Sequence, residues 1–177
     1  MTGFWDLVKR RPKLPAGADV PLDADERVIA WARTPDDGFV VATNRGLHLP
    51  GRPARLGWHE IHKAVWSGRE LAVTPAGVVA ERDGFTEMAD LPVETVLLIE
   101  PGDVPEQVRA RVTGSVTYTS HQKLGGGGGV RVAARKVSGA DGLTWTARYD
   151  PGTPVSPAVL EETSTLVAGL RSATDPA

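Results

Sequence analysis

The chain has 177 residues, 41% of them hydrophobic and 24% charged, with a formal net charge of −2. That length suffices for one large domain or two small lobes, and the slightly acidic balance argues against a dedicated nucleic-acid binder. With no cysteine, a disulfide framework and thiolate chemistry are both excluded.

The first residues combine apolar and basic character. Phe4, Leu7, Val8 and Arg11 fall at helical spacing, with Trp5 beside them and Lys9, Arg10 and Lys13 following. A short basic amphipathic helix of this kind can dock an anionic membrane surface or a partner groove, or pack Phe4 and Trp5 onto its own chain. The apolar residues precede the basic ones, the reverse of a secretory signal. With Pro12, Pro15 and Pro21, the stretch to residue 22 shows few strand signals. A flexible basic arm over residues 1–22 is expected.

From Glu26 the pattern becomes β. Val28, Ala30 and Ala32 alternate with Ile29, Trp31 and Arg33. Phe39-Val40-Val41-Ala42-Thr43 is β-rich, and Asn44-Arg45-Gly46 is expected to supply positive-φ backbone for a hairpin. In Leu56–Trp66, strict alternation would separate Leu56 and Trp58 from Ile61 and Val65. A bend between Trp58 and Ile61 would turn both sets inward. Gly68, Pro75, Gly77 and Gly84 then punctuate short strands at Leu71–Val73, Val78–Glu81 and Phe85–Ala89. Thr95-Val96-Leu97-Leu98-Ile99, the longest apolar run, is strand-sized and far below the roughly 18–20 residues of a membrane span.

Asp103 with Glu106 resembles a capping box, and Val104, Val108 and Val112 follow at helical spacing with Gly114 as a stop. Three strands come next, at Ser115–Leu124, Val130–Val137 and Leu143–Tyr149, the first two joined by the pentaglycine Gly125–Gly129. A last helix opens at Ser156-Pro157 and carries Val159, Thr163, Leu166, Val167 and Leu170 on one stripe. The fold class is therefore α+β and mainly antiparallel β, with a βββα segment at the end.

The pattern Val41-Ala42-Thr43-x-Arg45-Gly46-Leu47, then Leu56-x-Trp58-x-x-Ile61, Trp66 and Leu71-x-Val73 resembles bacterial pleckstrin-homology-like (PH-like) proteins, including actinobacterial ones with a similar extension. The resemblance covers Arg27 to Thr113 and implies a curled half-barrel closed by a helix. The division it implies is an arm at 1–22, a PH-like lobe at 23–113 and a βββα lobe at 114–177. The fold hosts many binding roles and says little about activity. A cluster of basic residues in the first hairpin, the inositol-phosphate signature of eukaryotic relatives, is not clear here: only Arg27, Arg33 and Arg45 are basic between 27 and 47.

No motif for covalent or metal chemistry stands out. His59-Glu60-Ile61-His62 has the wrong spacing for a zinc helix. Thr113-Gly114-Ser115 lacks a nucleophile elbow's strand-to-helix setting. The pentaglycine opens a strand, not a helix, so it fits a hairpin loop better than a phosphate cradle. No cofactor is expected and no enzyme activity is assigned; an enzyme would need converging titratable groups that these strands do not supply.

Charge is distributed unevenly. Glu81 to Glu106 holds eight acidic residues and one basic; Arg109 to Arg148 holds seven basic and one acidic. The two blocks either neutralise each other across the fold or leave a basic face free. If Val130, Val132 and Ala134 face the core, Arg131 and Arg135 face out, joined by Arg148 and Lys123 from the neighbouring strands. Val116 and Tyr118 are expected inside, and Thr117, Thr119, His121, Thr144 and Thr146 outside. Arg131, Arg135, Arg148 and Lys123 are thus the candidate surface for an acidic protein partner, with Phe4 and Trp5 the candidate contact to an anionic membrane. A cytoplasmic protein, membrane-peripheral if the arm docks, is expected, with no specific nucleic acid as partner.

Overall fold

The computed structural model describes residues 12–174. The expectations for Phe4, Trp5 and the amphipathic arm lie outside the described residues. Lys13 is within them, and its carbonyl accepts a 2.9 Å hydrogen bond from Trp31 Nε1.

The described residues are mixed α+β, with two α-helices, mostly antiparallel sheets and a curled half-barrel. Strands β1 (Val28–Arg33), β2 (Phe39–Thr43), β3 (Gly46–His48) and β4 (Leu56–Gly57) form an antiparallel sheet in chain order. The β2–β3 turn departs from expectation: none of Asn44, Arg45 and Gly46 has positive φ. The turn is held instead by Thr43, whose Oγ1 accepts from the amides of Arg45 and Gly46 at 3.1 Å each. Gly46 is needed for space, since a Cβ there would stand 2.1 Å from the Leu56 carbonyl oxygen.

The corner after β4 is one 3-10 turn, Trp58–Glu60, leading into β5 (Ile61–Trp66). This is the expected bend, and it leaves Leu56, Trp58 and Ile61 all buried. Trp58 Nε1 donates to the Thr43 carbonyl at 3.1 Å, which ties the corner to β2. A register shift between Ile61 and Lys63 then reverses the alternation. Ala64 and Trp66 consequently pack on the core, while Val65 is 46% exposed rather than inward.

The strands expected at 71–73 and 78–81 are one continuous strand, β6 (Glu70–Arg82). Pro75 does not break it. Pro75 stands opposite Ile61 at the end of the β5 ladder, and its carbonyl accepts from Leu91 N at 2.9 Å. The first half of β6 pairs with β5 and with β8 (Glu94–Leu97); the second half pairs with β7 (Phe85–Asp90). A bridge from Arg33 to Ile99 connects β1 to the residues after β8.

Helix α1 (Val104–Ser115) buries Val104 and Val108 among Ala30, Leu47, Trp58, Ile61 and Leu71. The expected capping box is not formed: Asp103 is the N-cap in helical conformation, with no side-chain cap bond. The helix runs one residue past Gly114 and passes directly into β9 (Val116–Lys123). Strands β10 (Gly129–Lys136) and β11 (Leu143–Tyr149) follow, then helix α2 (Pro157–Thr174), whose first turn is capped by Ser156 Oγ accepting from Val159 N at 3.3 Å.

The sheet path β5-β6-β7-β11-β10-β9 runs through both halves of the chain, because β11 pairs with β7 in parallel, Thr146 opposite Thr86. Helix α2 covers one face of its far end with Val159, Leu166, Val167 and Leu170 against Val130, Val132, Trp145 and Ala147. The other face is concave and holds the site. Among the described residues, no helix is long and apolar enough to cross a membrane.

Candidate anion-binding site

On β10, Val130, Val132 and Ala134 are fully buried on the α2 side, which turns Arg131, Ala133 and Arg135 to the concave side. On β11, Trp145 and Ala147 take the α2 side, leaving Thr146 and Arg148 opposite. The antiparallel register sets Arg131 directly across from Arg148. Two positive charges thus face each other on adjacent strands, an arrangement that is unfavourable without an anion nearby.

The sheet curls far enough for β5 to supply the facing wall. Arg135 NH1 donates to the Ile61 carbonyl at 3.1 Å and lies 3.2 Å from Ser115 Oγ. The bulge at Ile61–Lys63 aims His62 into the gap. The result is a hollow of about 280 Å³ lined by His62, Val116, Thr119, Arg131, Ala133, Arg135, Thr146 and Arg148.

Three of the four arginine and lysine positions singled out in the sequence therefore meet at one place. Their exposure differs from expectation. Arg131 is exposed, but Arg135 is only 7% exposed, because the curl lays β5 and the end of α1 over it. Lys123 stands at the end of β9, opposite Gly129, and does not line the hollow. Val116 lines the hollow rather than the α2 core, whereas Tyr118 does pack there. A register shift at Ala134/Arg135 skips Thr117 and so separates the two.

Asp90, at the end of β7, closes the rim. Its Oδ1 lies 2.7 Å from His62 Nδ1 and 2.5 Å from Arg148 NH1. Burial raises the Asp90 carboxyl, but the bonds from His62 and Arg148 outweigh it and hold the group below its ordinary range. Burial also lowers the His62 pKa, and the neighbouring Arg148 and Arg135 add to this against the opposing pull of Asp90. These influences favour the neutral imidazole. Arg135 is lowered by burial and then by Arg148, yet a guanidinium stays protonated throughout the accessible range.

Arg135 has a further peculiarity. Its Nε is buried and has no hydrogen-bond partner among the described residues. Leaving such a donor unpaired costs about 1–3 kcal/mol, and more for a charged group. No carboxylate among the described residues pairs with Arg135 or Arg131. Of the seven basic residues between Arg109 and Arg148, only Arg148 meets a carboxylate of the acidic block, namely Asp90. Within the described residues, mutual neutralisation of the two blocks comes down to that one pair.

Larger clefts exist, but their chemistry is different. One of about 590 Å³ holds Arg45 and Arg55, which are already paired with Asp25 and with Asp23 and Glu26. One of about 500 Å³ lies between α1 and the β10–β11 loop, and one of about 610 Å³ lies beside Trp66. Neither gathers three guanidiniums. His59 lines the 590 Å³ cleft and His62 the arginine hollow, so the two histidines do not share a site. Among the described residues no group of three or more His, Cys, Asp or Glu is placed to hold a metal ion.

The pentaglycine forms the β9–β10 turn. Gly125 N donates to Glu162 Oε1 at 3.1 Å and Gly129 N to Thr153 Oγ1 at 3.2 Å, so α2 and the segment before it hold the loop. Sequence reasoning reached the arginines through strand alternation but missed His62 and Asp90. The signal for His62 was the broken alternation between Trp58 and Val65. Asp90 gave no signal, as one of eight acidic residues in its block. Compared with known proteins, the chain matches no protein-family model, no curated protein and no solved structure.

Proposed function

We propose that this chain is a non-enzymatic binding protein that engages an acidic protein partner through the basic hollow of its β9–β10–β11 face. The observation that carries the reading is the convergence of Arg131, Arg135 and Arg148 on one concave site with, among the described residues, one carboxylate, Asp90, at its rim. Charge complementarity of this kind steers association and fixes orientation. In this reading the front of the chain is a PH-like scaffold and the binding surface belongs to the segment that follows it. The lining residues support binding rather than turnover: arginines and threonines, with a histidine already engaged by Asp90.

Crosslinking and affinity capture from the native cell test the proposal. Wild-type protein should retain a stoichiometric partner that the double variant R131E/R148E loses, while a charge change on another face, K63E, retains it. Arg135 is left unaltered because it supports the Ile61 carbonyl. Equal recovery of every partner by R131E/R148E would remove the hollow as the binding surface.

A further inference from the structure

We infer that the acidic group this hollow takes is a phosphate monoester displayed on a side chain of the partner protein, rather than the carboxylate of an aspartate or glutamate. The inference rests on the reading of the hollow as the partner-binding surface and names the chemistry it selects.

Donor geometry is the first argument. Arg131 and Arg148 face each other across the β10–β11 pair, and Arg135 lies further along β10 on the same side. Thr119 and Thr146 add hydroxyls from the flanking strands. A carboxylate has two oxygens in one plane and is satisfied by one guanidinium fork. Three guanidiniums arranged around a hollow suit an acceptor whose oxygens point in several directions, as those of a tetrahedral phosphate do.

Charge is the second. Three guanidiniums are set against the Asp90 carboxylate, and Asp150, further along the same face, is engaged by His121 at 2.7 Å. A carboxylate would leave the cluster positive. A phosphate monoester brings about −1.5 to −2 at neutral pH and matches what remains.

The third is the buried Arg135 Nε, more than nine-tenths of whose residue is hidden from solvent and which has no partner within the described chain. A phosphate in the hollow would relieve the Arg131–Arg148 opposition, and a small shift of the Arg135 side chain would be needed for its Nε to reach an oxygen.

The protein origin of the phosphate follows from where the hollow lies. Val116 and Thr119 place it beside β9, the last strand of the sheet path, whose outer edge pairs with no strand among the described residues. An extended segment can lie along such an edge by main-chain hydrogen bonds and direct one phosphorylated side chain inward. A concave recess beside a strand edge suits a peptide better than a flat bilayer.

The first test uses the full chain with small probes at constant ionic strength. Inorganic phosphate and O-phosphoserine should raise the melting temperature saturably and bind at least tenfold more tightly by calorimetry than acetate or glutamate. R131Q, at an exposed position, should weaken phosphate binding at least tenfold while leaving the circular dichroism spectrum unchanged. Acetate binding as well as phosphate, or R131Q binding phosphate like wild type, would overturn the inference. Vesicles containing phosphatidic acid that bind the protein while O-phosphoserine does not would also overturn it, in favour of a lipid source.

The second test repeats the capture experiment on lysate treated with phosphatase. Loss of the arginine-dependent partner supports the inference. A partner that needs Arg131 and Arg148 but survives phosphatase treatment defeats it and leaves the acidic-partner reading intact. If no partner depends on those arginines, it is the functional reading itself that fails.

Discussion

Arg131 and Arg148 occupy directly opposed positions on neighbouring antiparallel strands, on the face turned away from α2, and among the described residues Arg148 alone of the two has a carboxylate partner. A sheet that only had to fold would do better with one of them neutral. Replacing Arg131 with glutamine should therefore raise stability by up to about 1 kcal/mol at low salt, with the gain shrinking as salt screens the repulsion. Urea denaturation at two ionic strengths measures it. A clear loss of stability in R131Q would show that the two arginines are not in conflict.

Glu26 is the most heavily tethered acid in the front sheet. Its carboxylate accepts from Thr43 Oγ1 at 2.6 Å, Arg55 NH1 at 2.9 Å and Asp23 N at 3.1 Å, and lies 2.9 Å from His48 Nε2. Burial works against its ionisation, but the bonds from Thr43, His48 and Asp23 N prevail and keep its pKa below the ordinary 4.5. E26Q should cost about 2–4 kcal/mol, since Arg55 and His48 lose their shared anion. The native contribution is complete above pH 4.5 and is lost as the pH falls through the lowered folded value. Acid unfolding of E26Q should accordingly be shallower than that of wild type, by circular dichroism titration.

His62 acts in the same direction, in a higher pH window. Its folded pKa lies below 6.5, chiefly through burial and then through Arg148 and Arg135, against Asp90. On acidification the unfolded chain takes up the proton first. Stability is therefore full above about pH 6.5 and declines as the pH drops toward the folded value. His59 is lowered in the same way by burial, with Arg135 adding and Glu60 opposing. Urea midpoints at pH 7.5 and 5.5 should differ less in H62Q than in wild type and least in H59Q/H62Q.

Gly128 has φ +79°, and a Cβ there would come within 2.3 Å of Thr153 Oγ1. Gly126, in the same turn, has neither constraint. G128A should lose about 1–3 kcal/mol while G126A stays within about 0.5 kcal/mol of wild type. Equal melting temperatures for the two variants would mean that the turn tolerates strain its geometry forbids.

How far these features could be read in advance depends on the range of the interactions that produce them. Arg131 and Arg148 were assignable because a local alternation, with Val132 and Ala147 on the opposite side, fixes where they point. The burial of Arg135 was not assignable: it follows from a contact with Ile61, 74 positions away, made only when the sheet curls. His62 was hidden by a single-residue bulge, which reverses every later side chain on β5. Pro75 looked like a strand end because local rules weigh its missing N–H, yet its carbonyl bonds to Leu91 N and the strand continues to Arg82. Asp103 and Glu106 had the spacing of a capping box, but Asp103 took helical dihedrals and made no cap bond.

The parallel pairing of β7 with β11 has a consequence for the order of events in synthesis. Strand β7 ends at Asp90, whereas β11 begins only at Leu143. At roughly 5–20 residues per second, the front of the chain waits several seconds on the ribosome with one edge of β7 bare. The hairpin bearing that edge also displays Val78 and Val79 to solvent. An uncovered strand beside exposed valines invites pairing with another nascent chain. Truncations that stop before β11 should accordingly collect in inclusion bodies, and the full chain should gain soluble yield when translation is slowed or a holdase chaperone is supplied.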